Sequence, residues 1–316
     1  MTGSVVLLFL GFGCLIGGAH FFIDGAQHVA RKLGISDLVI GLTVVAFGTS
    51  LPEITVNLYN TANGLDEAAF GNVIGSNIFN VTLILGVAAL INPVKVEQKL
   101  IIREIPFSLV IVAILMFMVN DHVWSSSENI LGRVEALVLF LLFGIYFYGL
   151  IKNIDGSPDD QASSDRKTST SVILMIAGLG LLIYGGQQVT KSAMEVARYF
   201  GMSEKLIALV ILGAGTSLPE LVTSVVAAFK NNADIAVGNV VGSNIFNILF
   251  ILGVGGMILP MGFNIQMNFD LVVLIAATLL LMLSMYTGSK KKIDRWEAIL
   301  YVSFYVIYVG YIFIRN

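Results

Sequence analysis

The chain has 316 residues, of which 56% are hydrophobic and only 12% are charged. A soluble globular domain carries about 25% charged residues, so this composition excludes an ordinary water-soluble domain and predicts a surface that faces the lipid bilayer. The net charge of −3 and the lack of a basic block argue against a nucleic-acid partner, and the single cysteine, Cys14, excludes a disulfide framework.

The chain begins with an apolar stretch, Val5–Ile16, that has no positively charged residue before it. A secretory signal peptide starts with such a charge, so we interpret the stretch as the first transmembrane helix. Apolar segments of about 20 residues, the length that spans a bilayer, then alternate with polar turns. They predict an all-α integral membrane protein with ten transmembrane helices, at residues 4–30, 37–60, 68–92, 104–120, 131–151, 170–198, 204–230, 234–259, 269–287 and 296–314.

The sequence contains an internal repeat. Residues 41–94 and 208–261 align at a constant offset of 167 without a gap, and 23 of the 54 aligned positions are identical. Five predicted helices, an odd number, separate equivalent points, so the second copy enters the membrane in the opposite sense. This pattern is typical of secondary transporters, whose binding site lies between the two repeats. It predicts a first five-helix repeat at 1–152, a hydrophilic cytoplasmic linker at 153–170 and a second, inverted repeat at 171–316.

Lysine and arginine residues predict the orientation. If the N-terminus is outside, 13 of the 18 lie in the predicted cytoplasmic loops, as the positive-inside rule requires. Both termini are therefore predicted to be extracellular.

The second and seventh predicted helices each contain the sequence GTSLPE, at residues 48–53 and 215–220. Proline lacks the N–H that a helix needs and clashes with the preceding turn, so both helices should break there. The break would free backbone carbonyls, including those of Ala46 and Gly213, and such carbonyls are tolerated at membrane depth only where they line a cavity. Glu53 and Glu220 are carboxylates within hydrocarbon, which indicates a function.

The following helix in each repeat contains the sequence GNV-(Ile/Val)-GSNIFN, at residues 71–80 and 238–247. Ser76 and Asn80 lie four residues apart on one helix face, as do Ser243 and Asn247. The glycines form small-xxx-small faces that allow close helix packing. Together the motifs predict a four-helix cation site whose ligands are all oxygens: Ala46, Thr49, Ser50, Glu53, Ser76, Asn80, Gly213, Thr216, Ser217, Glu220, Ser243 and Asn247.

Oxygen ligands suit hard cations such as Ca²⁺, which takes six to eight of them. The site contains no His or Cys, so transition-metal transport is less favoured. A cation channel and a cation/proton exchanger would use similar groups and remain alternatives. An intramembrane enzyme would need a nucleophile–base pair or an aspartate dyad, and a purely structural role does not explain why two intramembrane acids are duplicated.

The two motifs, GTSLPE followed by GNVxGSNIFN, resemble the alpha repeats of the calcium/cation antiporter superfamily, and in particular its prokaryotic sodium/calcium exchangers. The resemblance extends over nearly the whole chain. It implies that the protein is not an enzyme, uses no cofactor and exchanges Ca²⁺ for Na⁺ across the plasma membrane by alternating access. Since all the ligands come from one chain, we expect a functional monomer.

The resemblance also implies individual roles. Glu53 and Glu220 would bridge calcium and sodium sites, while the hydroxyls and the carbonyls of Ala46 and Gly213 would complete them. Some family members carry Asp at the position of Asn247, a pattern that potassium-dependent exchangers resemble. Asn at both equivalent positions therefore favours potassium-independent, electrogenic exchange, with a proton-coupled exchanger as the alternative.

The mobile element would be the first helix of each repeat, at 4–30 and 170–198. Its glycines would permit sliding against the rest of the protein: Gly11, Gly13, Gly17 and Gly18.

Overall fold

The computed structural model describes residues 2–121, 129–152, 167–202, 211, 213–288 and 291–315. Most of the predicted linker and the first part of the predicted seventh helix lie outside these residues. We label the helices of the described part in chain order: α1 (Thr2–Leu33), α2 (Asp37–Thr49), α3 (Leu51–Ala62), α4 (Asp66–Ile91), α5 (Leu100–Met118), α6 (Arg133–Lys152), α7 (Thr168–Tyr199), α8 (Leu218–Phe229), α9 (Ala233–Ile258), α10 (Ile265–Ser284) and α11 (Arg295–Arg315). A short helical turn, Gly213–Gly215, precedes α8.

The prediction of an all-helical membrane protein is confirmed. Within the described ranges, eight helices are long and apolar enough to cross a membrane, and α2 and α3 together form a ninth span that is bent by 49°. The shorter α8 has 12 residues. Because residues 203–210 and 212 lie outside the description, the count of ten spans stays a prediction. Large apolar side chains point outward, as in Phe9 and Ile307, both 71% exposed, which suits a surface in contact with lipid.

Helix bounds repeat along the chain. α3 and α8 both have 12 residues and α4 and α9 both have 26, and the bounds of α8 and α9 are those of α3 and α4 plus 167. Equivalent helices also run in opposite directions where they meet. Contacts between α1 and α7 join Gly11 to Gly185 and Gly25 to Ser171, so these two helices are antiparallel.

Two short antiparallel ribbons join the halves at opposite ends of the molecule. β1 (Val94–Lys95) pairs with β4 (Lys292–Ile293), and β2 (Ile130–Leu131) pairs with β3 (Met261–Gly262). We call the end that contains β1 and β4 the lysine-rich end. Lys230 forms an ion pair with Asp24 near this end, linking α1 to the end of α8. The loops that the sequence assigns to one side of the membrane are thus brought together.

Glycines in α1 and α7 bring the two helix backbones into contact. A methyl group on Gly18 would lie 2.7 Å from the Gly178 carbonyl oxygen, and one on Gly11 would lie 3.1 Å from that of Gly185. Gly13 and Gly17 have no described heavy atom within 4 Å of such a methyl group. The prediction that all four glycines allow sliding against the rest of the protein is therefore wrong. Gly11 and Gly18 share one helix face and pack α1 against α7, whereas Gly13 and Gly17 face away.

The interior of the protein is built around α4 and α9, which carry the second repeated motif. Of an 18-residue apolar stretch in each helix, 94% is buried in α9 and 72% in α4, but only 22% in α6 and in α11. The polar motif residues therefore lie in the centre of the helix assembly, shielded from lipid by the outer helices.

Candidate cation-binding site

The two glutamates lie where helices begin. α2 ends at Thr49 and α3 begins at Leu51, with Ser50 between them at φ −81° and ψ 6°. Proline in the first turn of α3 costs little, since an N–H there has no intrahelical partner. Glu53 falls in this first turn, where the helix dipole favours a negative charge. Glu220 has the same place in α8, which follows Ser217.

Each glutamate accepts a hydrogen bond from the GTSLPE serine of the other half. Ser217 Oγ donates to Glu53 Oε1 at 2.8 Å, and Ser50 Oγ donates to Glu220 Oε1 at 3.0 Å. The same hydroxyls lie close to the serines of the second motif, with Ser217 Oγ 3.0 Å from Ser76 Oγ and Ser50 Oγ 3.1 Å from that of its counterpart, Ser243. The structure thus brings all six of these predicted residues into one buried cluster.

The threonines contact asparagines that lie near the start of the second motif. Thr49 Oγ1 donates to Asn239 Oδ1 at 3.0 Å, and Thr216 Oγ1 lies 3.4 Å from Asn72 Oδ1. The Ala46 carbonyl is not freed by the proline as predicted, because it accepts the Ser50 N–H at 3.1 Å. Its oxygen also lies 3.5 Å from Ser243 Oγ, at the edge of hydrogen-bonding distance. Its equivalent, Gly213, begins the short turn before α8.

Asparagines also join α4 to α9 at the centre of the molecule. Asn77 Nδ2 donates to the Asn244 carbonyl at 3.2 Å, and Asn244 Nδ2 donates to the Asn77 carbonyl at 3.1 Å. Asn80 Nδ2 donates to Asn244 Oδ1, and Asn247 Nδ2 donates to Asn77 Oδ1, both at 3.0 Å. A π-helical turn begins at Asn80 and another at Asn247, over Asn80–Ile84 and Asn247–Leu252. Such turns are frequent at functional sites.

Four buried oxygens of this cluster have no hydrogen-bond partner in the described part of the chain: Glu53 Oε2, Glu220 Oε2, Asn80 Oδ1 and Asn247 Oδ1. Buried polar atoms are normally satisfied, so each exception calls for an explanation. All four are acceptors, and two belong to carboxyl groups in a protein interior. Bound cations would supply the missing partners, and oxygen ligands of this kind suit Na⁺ and Ca²⁺.

Four asparagines of the second motif were missed as candidate residues: Asn72, Asn77, Asn239 and Asn244. They lie within the repeated decapeptide, and a polar amide repeated in register within an apolar helix is itself a signal. Within the described ranges, no group of three or more His, Cys, Asp or Glu residues is arranged to hold a metal. The acids that the hydrogen bonds place in this cluster are Glu53 and Glu220.

The two ends of the site differ in exposure. Thr49 and Asn239 are fully buried, whereas Thr216 and Asn72 are partly exposed. Asn72 lies early in α4, which starts at the end of the molecule opposite the lysine-rich end. The site is therefore sealed towards the lysine-rich end and more open towards the other.

Comparisons with known proteins agree with this architecture. The family model described as sodium/calcium exchanger protein matches residues 3–152 and 170–314. The chain therefore belongs to the sodium/calcium exchanger family, a family of membrane ion exchangers rather than enzymes.

Individual relatives cover almost the entire chain. The putative antiporter CaxA of Alkalimonas amylolytica is 36% identical over 98% of each chain, and the sodium/calcium exchanger MaX1 of Methanosarcina acetivorans is 30% identical over 99% of each. A solved structure of the sodium-calcium exchanger NCX_Mj, soaked with Na⁺ and Ca²⁺, superposes with a TM-score of 0.83 at 33% identity and covers 97% of each chain.

Proposed function

We propose that this protein exchanges Ca²⁺ for Na⁺ across the cell membrane by alternating access. The observation that carries the proposal is the reciprocal Glu53–Ser217 and Glu220–Ser50 pairing, which leaves one free oxygen on each buried carboxylate. Two carboxylates match the charge of one Ca²⁺. Membership of the family, and relatives named as sodium/calcium exchangers, support the choice of ions.

The donor set is larger than one calcium ion needs. Twelve residues were predicted as ligands, whereas Ca²⁺ takes six to eight oxygens, which leaves room for several Na⁺. More than two Na⁺ against one Ca²⁺ moves net charge, so we propose electrogenic exchange. Asn80 and Asn247 are neutral, and this supports potassium independence. An empty site carries two negative charges in a low-dielectric interior and is costly to move, so Ca²⁺ or Na⁺ must neutralise it before the protein changes state.

The helices α1 and α7 form the proposed moving unit. Their backbones are in contact through Gly11, Gly18 and Gly25, so the two helices should move together. They also cover the breaks in the site helices: a methyl group on Gly48 would lie 2.9 Å from Phe22 Cζ, and one on Gly215 would lie 2.5 Å from Thr190 Oγ1. Displacement of this pair along its axis would expose one break while the other stays covered.

The remaining proposals concern the setting. All proposed ligands belong to one chain, which supports a functional monomer. The two halves correspond to residues 1–152 and 171–316, with a cytoplasmic linker between them. The lysine-rich end is assigned to the cytoplasm by the positive-inside rule, which places both termini outside.

The function is tested with purified protein in liposomes loaded with Na⁺ or with K⁺ at matched pH. Uptake of ⁴⁵Ca²⁺ is expected only from Na⁺-loaded vesicles, and a membrane potential set with valinomycin and K⁺ should change its rate. Uptake that ignores Na⁺ and follows a pH gradient would instead indicate proton-coupled exchange. Uptake without any counter-ion would indicate a channel.

A further inference from the structure

Asn77 and Asn244 lie at the crossing of α4 and α9 and are completely buried. The Nδ2 group of each donates to the backbone carbonyl of the other. Each of these carbonyls also accepts the N–H of a residue in its own helix, Asn80 or Asn247. Since a side-chain amide has a donor end and an acceptor end, these bonds fix the direction in which both amides point.

The acceptor ends then determine the orientation of two further amides. Asn244 Oδ1 accepts from Asn80 Nδ2, and Asn77 Oδ1 accepts from Asn247 Nδ2, both at 3.0 Å. The nitrogen and oxygen of an amide lie on opposite sides of its terminal carbon. Because the NH₂ groups of Asn80 and Asn247 are held at the crossing of α4 and α9, their Oδ1 atoms point away from Asn77 and Asn244. These two Oδ1 atoms are two of the four buried oxygens without a partner.

We propose that Asn77 and Asn244 are positioning residues that make Asn247 and Asn80 present a carbonyl oxygen, rather than an NH₂ group, to the transported cation. The inference rests on the proposed function and deepens it. A reversed amide would place positively polarised hydrogens next to the ion. Two neutral residues that do not themselves touch the ion would thus set the ligand field of the site.

The inference is tested by equilibrium ⁴⁵Ca²⁺ binding to the purified full-length protein. Asn244→Leu removes the acceptor that holds Asn80, with little change in volume. The Ca²⁺ dissociation constant should rise about tenfold or more, because an interaction with a charged group is lost. A generally loosened structure would give the same result, so a rescue experiment is needed.

Aspartate supplies the rescue, because both of its oxygens are acceptors and its orientation no longer matters. Asn244→Leu combined with Asn80→Asp should bind Ca²⁺ about as tightly as Asn80→Asp alone. The matched control combines Asn244→Leu with Asn247→Asp, because the amide of Asn247 is held by Asn77 and not by Asn244. This pair should stay about tenfold weaker than Asn247→Asp alone. Each double variant is compared with its own aspartate single variant, so the effect of the added charge cancels.

Equal Ca²⁺ binding by the wild type and Asn244→Leu, or equal behaviour of the two double variants, would overturn the inference alone. A wild-type chain that binds no ⁴⁵Ca²⁺ would contradict the proposed function and the inference with it. If Asn244→Leu does not yield folded protein, the mirror-image set applies the same criteria: Asn77→Leu, with Asn247→Asp as the rescue and Asn80→Asp as the control.

Discussion

The two halves of the site contain the same polar motif residues, but the surroundings of one threonine–asparagine pair differ between them. On the sealed side, Thr49 and Asn239 are completely buried, and Asn239 is well bonded. Its Nδ2 group lies 3.0 Å from Ser224 Oγ and 3.3 Å from the Glu220 carbonyl, while its Oδ1 accepts from Thr49. The hydrogen bonds of this side therefore form a closed network.

On the open side, Thr216 and Asn72 are partly exposed and lie 3.4 Å apart. Asn72 Nδ2 has no partner among the residues that the structure describes. The residue equivalent to Ser224 is Asn57, whose Nδ2 donates to the Ala69 carbonyl, as Ser224 Oγ does to the equivalent Ala236 carbonyl. Ser224 also accepts from Asn239, whereas Asn57 accepts nothing from Asn72. The repeated motifs thus supply the same polar side chains to both halves, whereas residues outside the motifs, which differ, distinguish the two sides.

The largest effect should come from the groups that the two halves share. Glu53→Gln and Glu220→Gln should each lower Na⁺-dependent ⁴⁵Ca²⁺ uptake by more than about 100-fold, because one buried charge no longer balances the ion. Glu104→Gln is the matched control, since Glu104 is also a buried acid in a transmembrane helix, and uptake should stay within about twofold of the wild type. Strong uptake by either site variant would mean that the halves do not act as one site.

Accessibility should distinguish the sides directly. In a chain with Cys14 replaced by Ser, a cysteine at Thr216 should react with a membrane-impermeant thiol reagent from outside. A cysteine at Thr49 should react at least about tenfold more slowly, because that position is completely buried. Labelling is measured in sealed right-side-out vesicles. Equal rates, or faster reaction at position 49, would contradict the assignment of the open side.

The buried cluster of motif side chains could be predicted from the sequence because a repeated motif and an intramembrane acid are local signals. The contacts between α4 and α9 could not, since they require knowing that Asn77 and Asn244 meet where two helices cross. Similarly, the glycines of the first helix were interpreted as a sign of mobility without regard to the face on which each one lies. The position around the helix decides that Gly18 contacts α7 and that Gly13 does not. The signal was present, since Gly11 and Gly18 have equivalents at Gly178 and Gly185.

Stability should differ between the equivalent asparagines. Asn239→Ala breaks a buried network, because it removes the amide that donates to Ser224 Oγ and the Glu220 carbonyl and accepts from Thr49, so it should lower the free energy of unfolding by about 2 kcal/mol. Asn72→Ala removes a long contact at a partly exposed position and should cost less than about 1 kcal/mol. Thermal unfolding of the detergent-purified variants measures both. The reverse order would mean that the closed network is not the stronger one.

A smaller effect is expected where α1 meets α7. Gly18→Ala places a methyl group 2.7 Å from the Gly178 carbonyl oxygen and 2.9 Å from Leu181 Cβ, so the helices must separate slightly. We expect a few-fold slower exchange at saturating Ca²⁺ with little change in Ca²⁺ affinity. Gly13→Ala, on the opposite face of the same helix, should leave both unchanged. Identical rates for the two variants would argue against a coupled α1–α7 unit.

The central claim is that the two halves form one site that Ca²⁺ and Na⁺ occupy in turn. Its most direct test is displacement of ⁴⁵Ca²⁺ from the purified protein by increasing Na⁺ at constant ionic strength, with K⁺ as the replacement ion. The account predicts complete displacement with a Hill coefficient above one, and loss of ⁴⁵Ca²⁺ binding in both Glu53→Gln and Glu220→Gln. Calcium that stays bound at saturating Na⁺, or that depends on only one of the two glutamates, would contradict it.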